Sequence, residues 1–155
     1  MKLSCILLLS SWALPLWAQE TPRQLALQQF PERVRELVGK PWSDAREVAS
    51  GVAENKRRED ERGLMLNLLG VNYDVTLGKK DGAVDWIALR SSSRSAKGLY
   101  EKLLEKHGKL AETKLVDVGD PAPGKYVDLI FSAERVRFRF VSPSKALFSI
   151  VVQRK

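Results

Sequence analysis

Residues 126–153 read YVDLIF-SAE-RVRFRFV-SPSK-ALFSIVVQ, and this stretch decides the fold. Arg135, Arg137 and Arg139 alternate with Val136, Phe138 and Phe140. A strand sends successive side chains to opposite faces. The arginines therefore form a row spaced roughly 7 Å apart, and the apolar set turns to the core. A tight turn at Ala133-Glu134 sets Phe131 opposite Val136, Leu129 opposite Phe138 and Val127 opposite Phe140, all on one face. The same register sets Asp128 opposite Arg139 and Ile130 opposite Arg137. A turn at Ser142-Pro143-Ser144 sets Phe138 opposite Phe148 and Val136 opposite Ile150. Slipping either pairing by one residue would carry apolar side chains to the arginine face. The segment is thus predicted as three consecutive antiparallel strands.

The face away from the core would carry Tyr126, Ile130, Arg135, Arg137, Arg139, Leu147, Ser149 and Val151. Arginine, tyrosine and aliphatic groups together are common at the centres of protein interfaces. An arginine row can also grip carboxylates or phosphates by paired hydrogen bonds. The same composition equally suits a plain exposed face, with arginine stems covering neighbouring aliphatics. Tyr126, Ile130, Arg135, Arg137 and Arg139 are the candidate binding residues.

Working outward, a strand at residues 113–118 precedes this meander across the rigid turn Asp120-Pro121-Ala122-Pro123-Gly124. Before it, Ala96, Leu99, Tyr100, Leu103, Leu104 and His107 make one face of a helix, with Ser95 or a neighbouring serine as cap and Gly108 as stop. From Leu64 to Leu89 the apolar period is two, and Lys79-Lys80-Asp81-Gly82 signals a hairpin. Residues 54–62 (ENKRREDER) carry eight charges and read as a solvated loop or exposed helical extension. Their mixed signs argue against a nucleic-acid patch. Residues 43–53 have helical spacing at Ala45, Val48, Ala49 and Val52 but stay open between helix and strand. Leu27, Phe30, Val34, Leu37 and Val38 predict a helix over 23–38, which Pro31 either interrupts or begins anew, and Gly39 ends.

The two halves, about 23–91 and 94–155, echo each other. A shift of 69 places Phe30, Val34 and Gly39 on Leu99, Leu103 and Gly108. A shift of 61 places Leu68, Val75 and Leu77 on Leu129, Val136 and Phe138, and one of 63 places Ile87 and Leu89 on Ile150 and Val152. The expected fold is α+β: an antiparallel sheet with two helices packed on one face, built as two pseudo-repeats of a helix and three or four strands. In element order this resembles the tandem-repeat fold of secreted β-lactamase inhibitor proteins and of small outer-membrane assembly lipoproteins. The resemblance implies a non-catalytic domain that binds other proteins. It carries no motif, so it assigns no functional residue.

The N-terminus points to a compartment. Lys2, the run Cys5–Leu16 (CILLLSSWALPL) and the small Ala18 have the order of a secretory signal peptide spanning residues 1–18. That run is short of the about 20 apolar residues a membrane span needs. Cleavage would leave one domain, 19–155, without cysteine and without a transmembrane segment. A disulfide-free secreted domain fits a bacterial periplasm. The formal charge of +7 falls by one as Lys2 leaves. A basic secreted domain suits an acidic protein, lipid, lipopolysaccharide or polymer, although charge spread over the surface also serves solubility alone.

Most catalytic chemistries lack their residues. His107 is the sole histidine and sits where a helix C-terminus favours a cation. One histidine without mature cysteine argues against a zinc site, and no cofactor is expected. No nucleophile-elbow or phosphate-cradling glycine motif occurs. Asp74, Asp85, Asp117, Asp120 and Asp128 leave a carboxylate-based hydrolase as one alternative. Trp42 and Trp86 read as packing residues. The expectation is a secreted, periplasmic, non-enzymatic protein-binding module, such as an inhibitor or an immunity protein against an envelope-directed toxin. The other alternative is a module for an anionic envelope ligand.

Overall fold

A computed structural model describes residues 20–51, 56–68, 73–91, 98–119 and 124–155. The chain opens with α1 (Pro22–Leu27), whose start is fixed by a capping box: Thr21 Oγ1 accepts from the Gln24 N–H, and the Gln24 side chain accepts from the Thr21 N–H. The helix expected over 23–38 is broken. Pro31 disfavours helical backbone at Phe30, so α1 ends early and α2 (Glu32–Arg35) restarts directly after the proline. Residues 42–50 resolve the ambiguous stretch as α3 (Trp42–Ser50), again opened by a proline, Pro41.

Within the charged stretch 54–62, read as a loop or helical extension, residues 60–62 are a tight connection and residues 54–55 lie outside the described residues. Its central part is a strand, β1 (Lys56–Glu59), paired to β2 (Gly63–Leu68). The Asp60 carboxylate accepts hydrogen bonds from the Arg62 and Gly63 N–H groups at 2.7 and 2.9 Å, which folds the tight connection. Charged side chains are tolerated there because β1 lies at the sheet edge. Next come β3 (Tyr73–Lys80) and β4 (Ala83–Ser91). Their hairpin turns at Asp81-Gly82, both at positive φ (52° and 73°), the two-residue geometry this dipeptide favours.

The helix expected before Gly108 is α4 (Leu99–His107), which begins after Gly98 at φ 81°, so the described residues hold four short α-helices where two were expected. The serine cap expected at Ser95, and Ala96 with it, fall outside the described residues. A 3-10 turn at Gly108–Leu110 leads into β5 (Glu112–Val118), then β6 (Gly124–Phe131), β7 (Val136–Val141) and β8 (Leu147–Gln153). All eight strands form one antiparallel sheet in the order β1-β2-β3-β4-β8-β7-β6-β5.

The β6–β7 register is the expected one, with Phe131 opposite Val136, Leu129 opposite Phe138 and Asp128 opposite Arg139. The β7–β8 register is not. Phe138 faces Ile150 and Val136 faces Val152, two residues away from the expected pairing. The connection is longer than three residues: Val141 donates to the Ala146 carbonyl, and Lys145 adopts φ 57°. A bulge between Arg139 and Phe140 absorbs the odd residue. The bulge also exchanges two side chains, so Leu147 is buried in the core and Phe148 takes the outer position expected of Leu147.

One hydrophobic cluster joins the helices to the sheet. Leu25, Phe30, Val34, Leu37, Ala45, Leu99 and Leu103 meet alternate strand residues that include Leu66, Val75, Leu77, Ile87, Leu89, Leu129, Phe138, Phe140, Ile150 and Val152. The Arg23 guanidinium anchors α1 by donating to the carbonyls of Glu134 (3.0 Å) and Gln153 (2.8 Å). Among the described residues no helix is long and apolar enough to cross a membrane.

Candidate binding surface

Strand alternation places Thr76, Trp86, Ala88, Arg90, Phe148, Ser149, Val151, Arg137, Arg139, Tyr126 and Ile130 on the sheet face away from the core cluster. The five candidate residues do not share one role.

Arg135 is not part of the strand. A 3-10 turn at Ser132–Glu134 closes the β6–β7 hairpin, and Arg135 follows it in the left-handed region, φ 53° and ψ 47°. The strand begins at Val136, so the predicted row of three evenly spaced arginines is cut to two. Of those two, Arg139 is already engaged. Its Nε and one terminal nitrogen donate to the two carboxylate oxygens of Asp128 at 2.7 and 2.8 Å. The Asp128 side chain is 3% exposed and that of Arg139 20%. The hydrogen bonds to Asp128 hold the Arg139 guanidinium even more firmly protonated than usual, against the opposing effect of burial. Arg139 therefore balances a buried carboxylate and is not a free ligand-binding group.

Tyr126 is buried beside this pair. Its ring lies 5.7 Å from the Arg139 guanidinium and 4.7 Å from the ring of Phe148, which in turn carries Arg90 at 4.9 Å. Two arginines thus flank two adjacent aromatic rings in a stack across β4, β8, β6 and β7.

Arg137 is exposed, and its position relative to Ile130 is the expected one. It shares with Arg135 a shallow depression of about 440 Å³ whose walls include Ile130, Ser132, Val151 and Gln153. Among the described residues neither guanidinium has a carboxylate partner. The adjacent acid, Glu134, is turned to Lys155 at 3.2 Å. Two unpaired cations above an aliphatic floor suit a carboxylate carried next to an apolar group.

Two residues of this face, Phe148 and Trp86, are not placed on it by the sequence reading. Phe148 was assigned to the core because the bulge has no sequence signature. Trp86 lies flat across Gly78: a Cβ built on that glycine would fall 2.0 Å from the indole. A glycine inside an otherwise regular strand is the available signal for such close approach.

A second, mainly apolar pocket of about 250 Å³ lies between Thr21, Pro22, His107, Leu110 and Phe131. His107 ends α4 as expected, edge-on to Phe131 at 6.4 Å, and its Nε2 is buried without a hydrogen-bond partner. The aspartates stand on separate strands: Asp74 on β3, Asp85 on β4 beside Arg154 (3.6 Å), Asp117 on β5 and Asp128 on β6. Asp120 lies outside the described residues.

No protein-family model matches the chain, and neither a curated protein nor a solved structure shows significant similarity to it.

Proposed function

We propose that this chain is a secreted, non-catalytic module that recognises another protein through the outer sheet face, with Arg135 and Arg137 as its anchor. The observation that carries the reading is the depression where these two guanidinium groups, without acidic partners among the described residues, flank Ile130 and Val151. The partner presents an acidic side chain next to an apolar one. In the periplasm such a module acts as an inhibitor, or as an immunity protein against an envelope-directed toxin.

A tandem architecture supports a binding role, in line with the inhibitor-like resemblance. The strand order sets two four-stranded meanders on either side of the β4–β8 junction. The pairs Val75–Leu89 and Leu77–Ile87 in the first correspond to Val136–Val152 and Phe138–Ile150 in the second. These are the shifts of 61 and 63 read from the sequence. On this reading Leu64 is a better counterpart of Leu129 than Leu68 is, since Leu64 pairs with Leu77 and Leu129 with Phe138. Helices on the core side would leave the opposite face for recognition.

The test is capture from envelope extract with tagged protein, washed at low and high salt. A protein retained at high salt is expected, and Arg137→Glu should abolish its capture with the thermal midpoint within a degree or two. Full capture by Arg137→Glu refutes the reading. Recovery of only lipid or polymer, lost at high salt, replaces the protein partner with an anionic envelope ligand.

A further inference from the structure

We infer that β5 is a dimerisation strand: its free edge pairs antiparallel with β5 of a second copy, joining two sheets into one. Among the described residues β5 bonds only to β6, and its first four residues are all exposed. Among the described residues the two most exposed large apolar side chains are Leu115 at 78%, within this strand, and Leu110 at 72%, two residues before it. The opposite edge is built differently. Over its described residues β1 reads Lys-Arg-Arg-Glu, whose net positive charge repels a second copy.

The β5 sequence selects its own register. A two-fold axis perpendicular to the sheet keeps like faces together, so each residue pairs with one an even number of positions away. Centring the axis on Glu112, Lys114 or Asp117 sets like charges opposite each other. Centring it on Leu115 sets Lys114 against Val116, Thr113 against Asp117 and Glu112 against Val118, with no opposite-charge pair. Centring it on Thr113 sets Glu112 against Lys114 twice, Ala111 against Leu115 twice and Thr113 against itself. Every pair in that register is of a favourable kind. Ala111 already has extended backbone, φ −91° and ψ 130°, so the added ladder can include it. Leu115 then packs on the partner's Ala111, and the outer faces of the two copies lie on the same side.

The test uses the chain expressed from its full sequence with Cys5→Ser. Adding Thr113→Cys puts two thiols across the axis, where directly opposed residues lie about 4.5–5.5 Å apart at Cα, within disulfide reach. Mild oxidation should convert Thr113→Cys to a covalent dimer and leave Leu115→Cys monomeric. Sedimentation should show a dimer for the unaltered chain, a monomer for Glu112→Lys, and a dimer again for Glu112→Lys/Lys114→Glu. Circular dichroism on each variant separates lost pairing from lost folding, and the charge exchange stands if the cysteine variant misfolds. A monomeric unaltered chain at every concentration, equal crosslinking of both cysteine variants, or an undiminished Glu112→Lys dimer overturns the inference.

Discussion

Replacing Arg139 by alanine would leave the Asp128 carboxyl, 3% exposed, stripped of both its side-chain hydrogen bonds. Removing one member of a buried pair costs about 3–5 kcal/mol, chiefly because the remaining charge is uncompensated. The Arg139 side chain keeps 20% of its exposure, so water already reaches the rim of the pair and the low end applies, about 3 kcal/mol. In a domain of this length 1 kcal/mol moves the thermal midpoint by about 4 °C, so Arg139→Ala should melt about 12 °C lower. Replacing both charges by apolar groups of similar volume, Asp128→Leu/Arg139→Met, removes the stranded carboxylate and should recover most of the loss. Arg137→Ala, at an exposed position without an acidic partner among the described residues, should stay within about 0.5 kcal/mol of the unaltered protein. Urea unfolding of the four proteins, with each midpoint compared to that of the unaltered chain, measures all of this. An Arg139→Ala protein within 1 kcal/mol of the unaltered one, or a double variant no better than that single, would refute the division of the two arginines into a structural and a surface role.

Two further outcomes follow from local geometry. Gly78→Ala should force the Trp86 indole off the strand, costing about 1–3 kcal/mol and shifting tryptophan emission to the red; an unchanged spectrum and midpoint would contradict the contact. The N–H groups of Arg62 and Gly63 hold the Asp60 carboxyl below the ordinary aspartate value, so its folding contribution is complete above that value and fades as pH falls through the lowered one. An NMR titration should place the Asp60 midpoint below that of an unstructured peptide, and equal midpoints would contradict it.

How far the sequence could be read depended on whether periodicity or connection geometry governed each element. Alternation at residues 127–140 determined faces and the β6–β7 register, because a slip there would expose Phe138 and Phe140. Alternation says nothing about a bulge. A longer connection after Val141, together with one extra residue in β8 at Phe148, left Phe138 facing the core yet shifted its partner from Phe148 to Ile150. The strand in 54–62 was hidden for a related reason. An edge strand has one bonded neighbour and little need of apolar side chains, so Lys56–Glu59 carries none of the pattern that identifies Leu64 and Leu66. At the candidate site, the pairing of Asp128 with Arg139 was legible from register alone. Its consequence, an arginine withdrawn from binding, required knowing that Asp128 is buried. Arg135 left the row because its hairpin needs a left-handed residue, a demand that the sequence Ser-Ala-Glu-Arg does not announce.

On the proposed reading, these departures concentrate the recognition surface. At one end of the outer face, Arg90, Phe148, Tyr126, Arg139 and Asp128 are joined by two hydrogen bonds and three ring contacts. A partner binding there would have to break interactions that already offset the burial of Asp128, and would gain little net free energy. At the other end, Arg135 and Arg137 have solvent where the stack has protein, and Ile130 and Val151 supply apolar area between them. Covering that end desolvates aliphatic surface and gives each guanidinium the carboxylate it lacks. Substitutions in the Tyr126–Arg139 stack should therefore lower stability before they touch affinity, and substitutions at Arg135 or Arg137 should do the reverse.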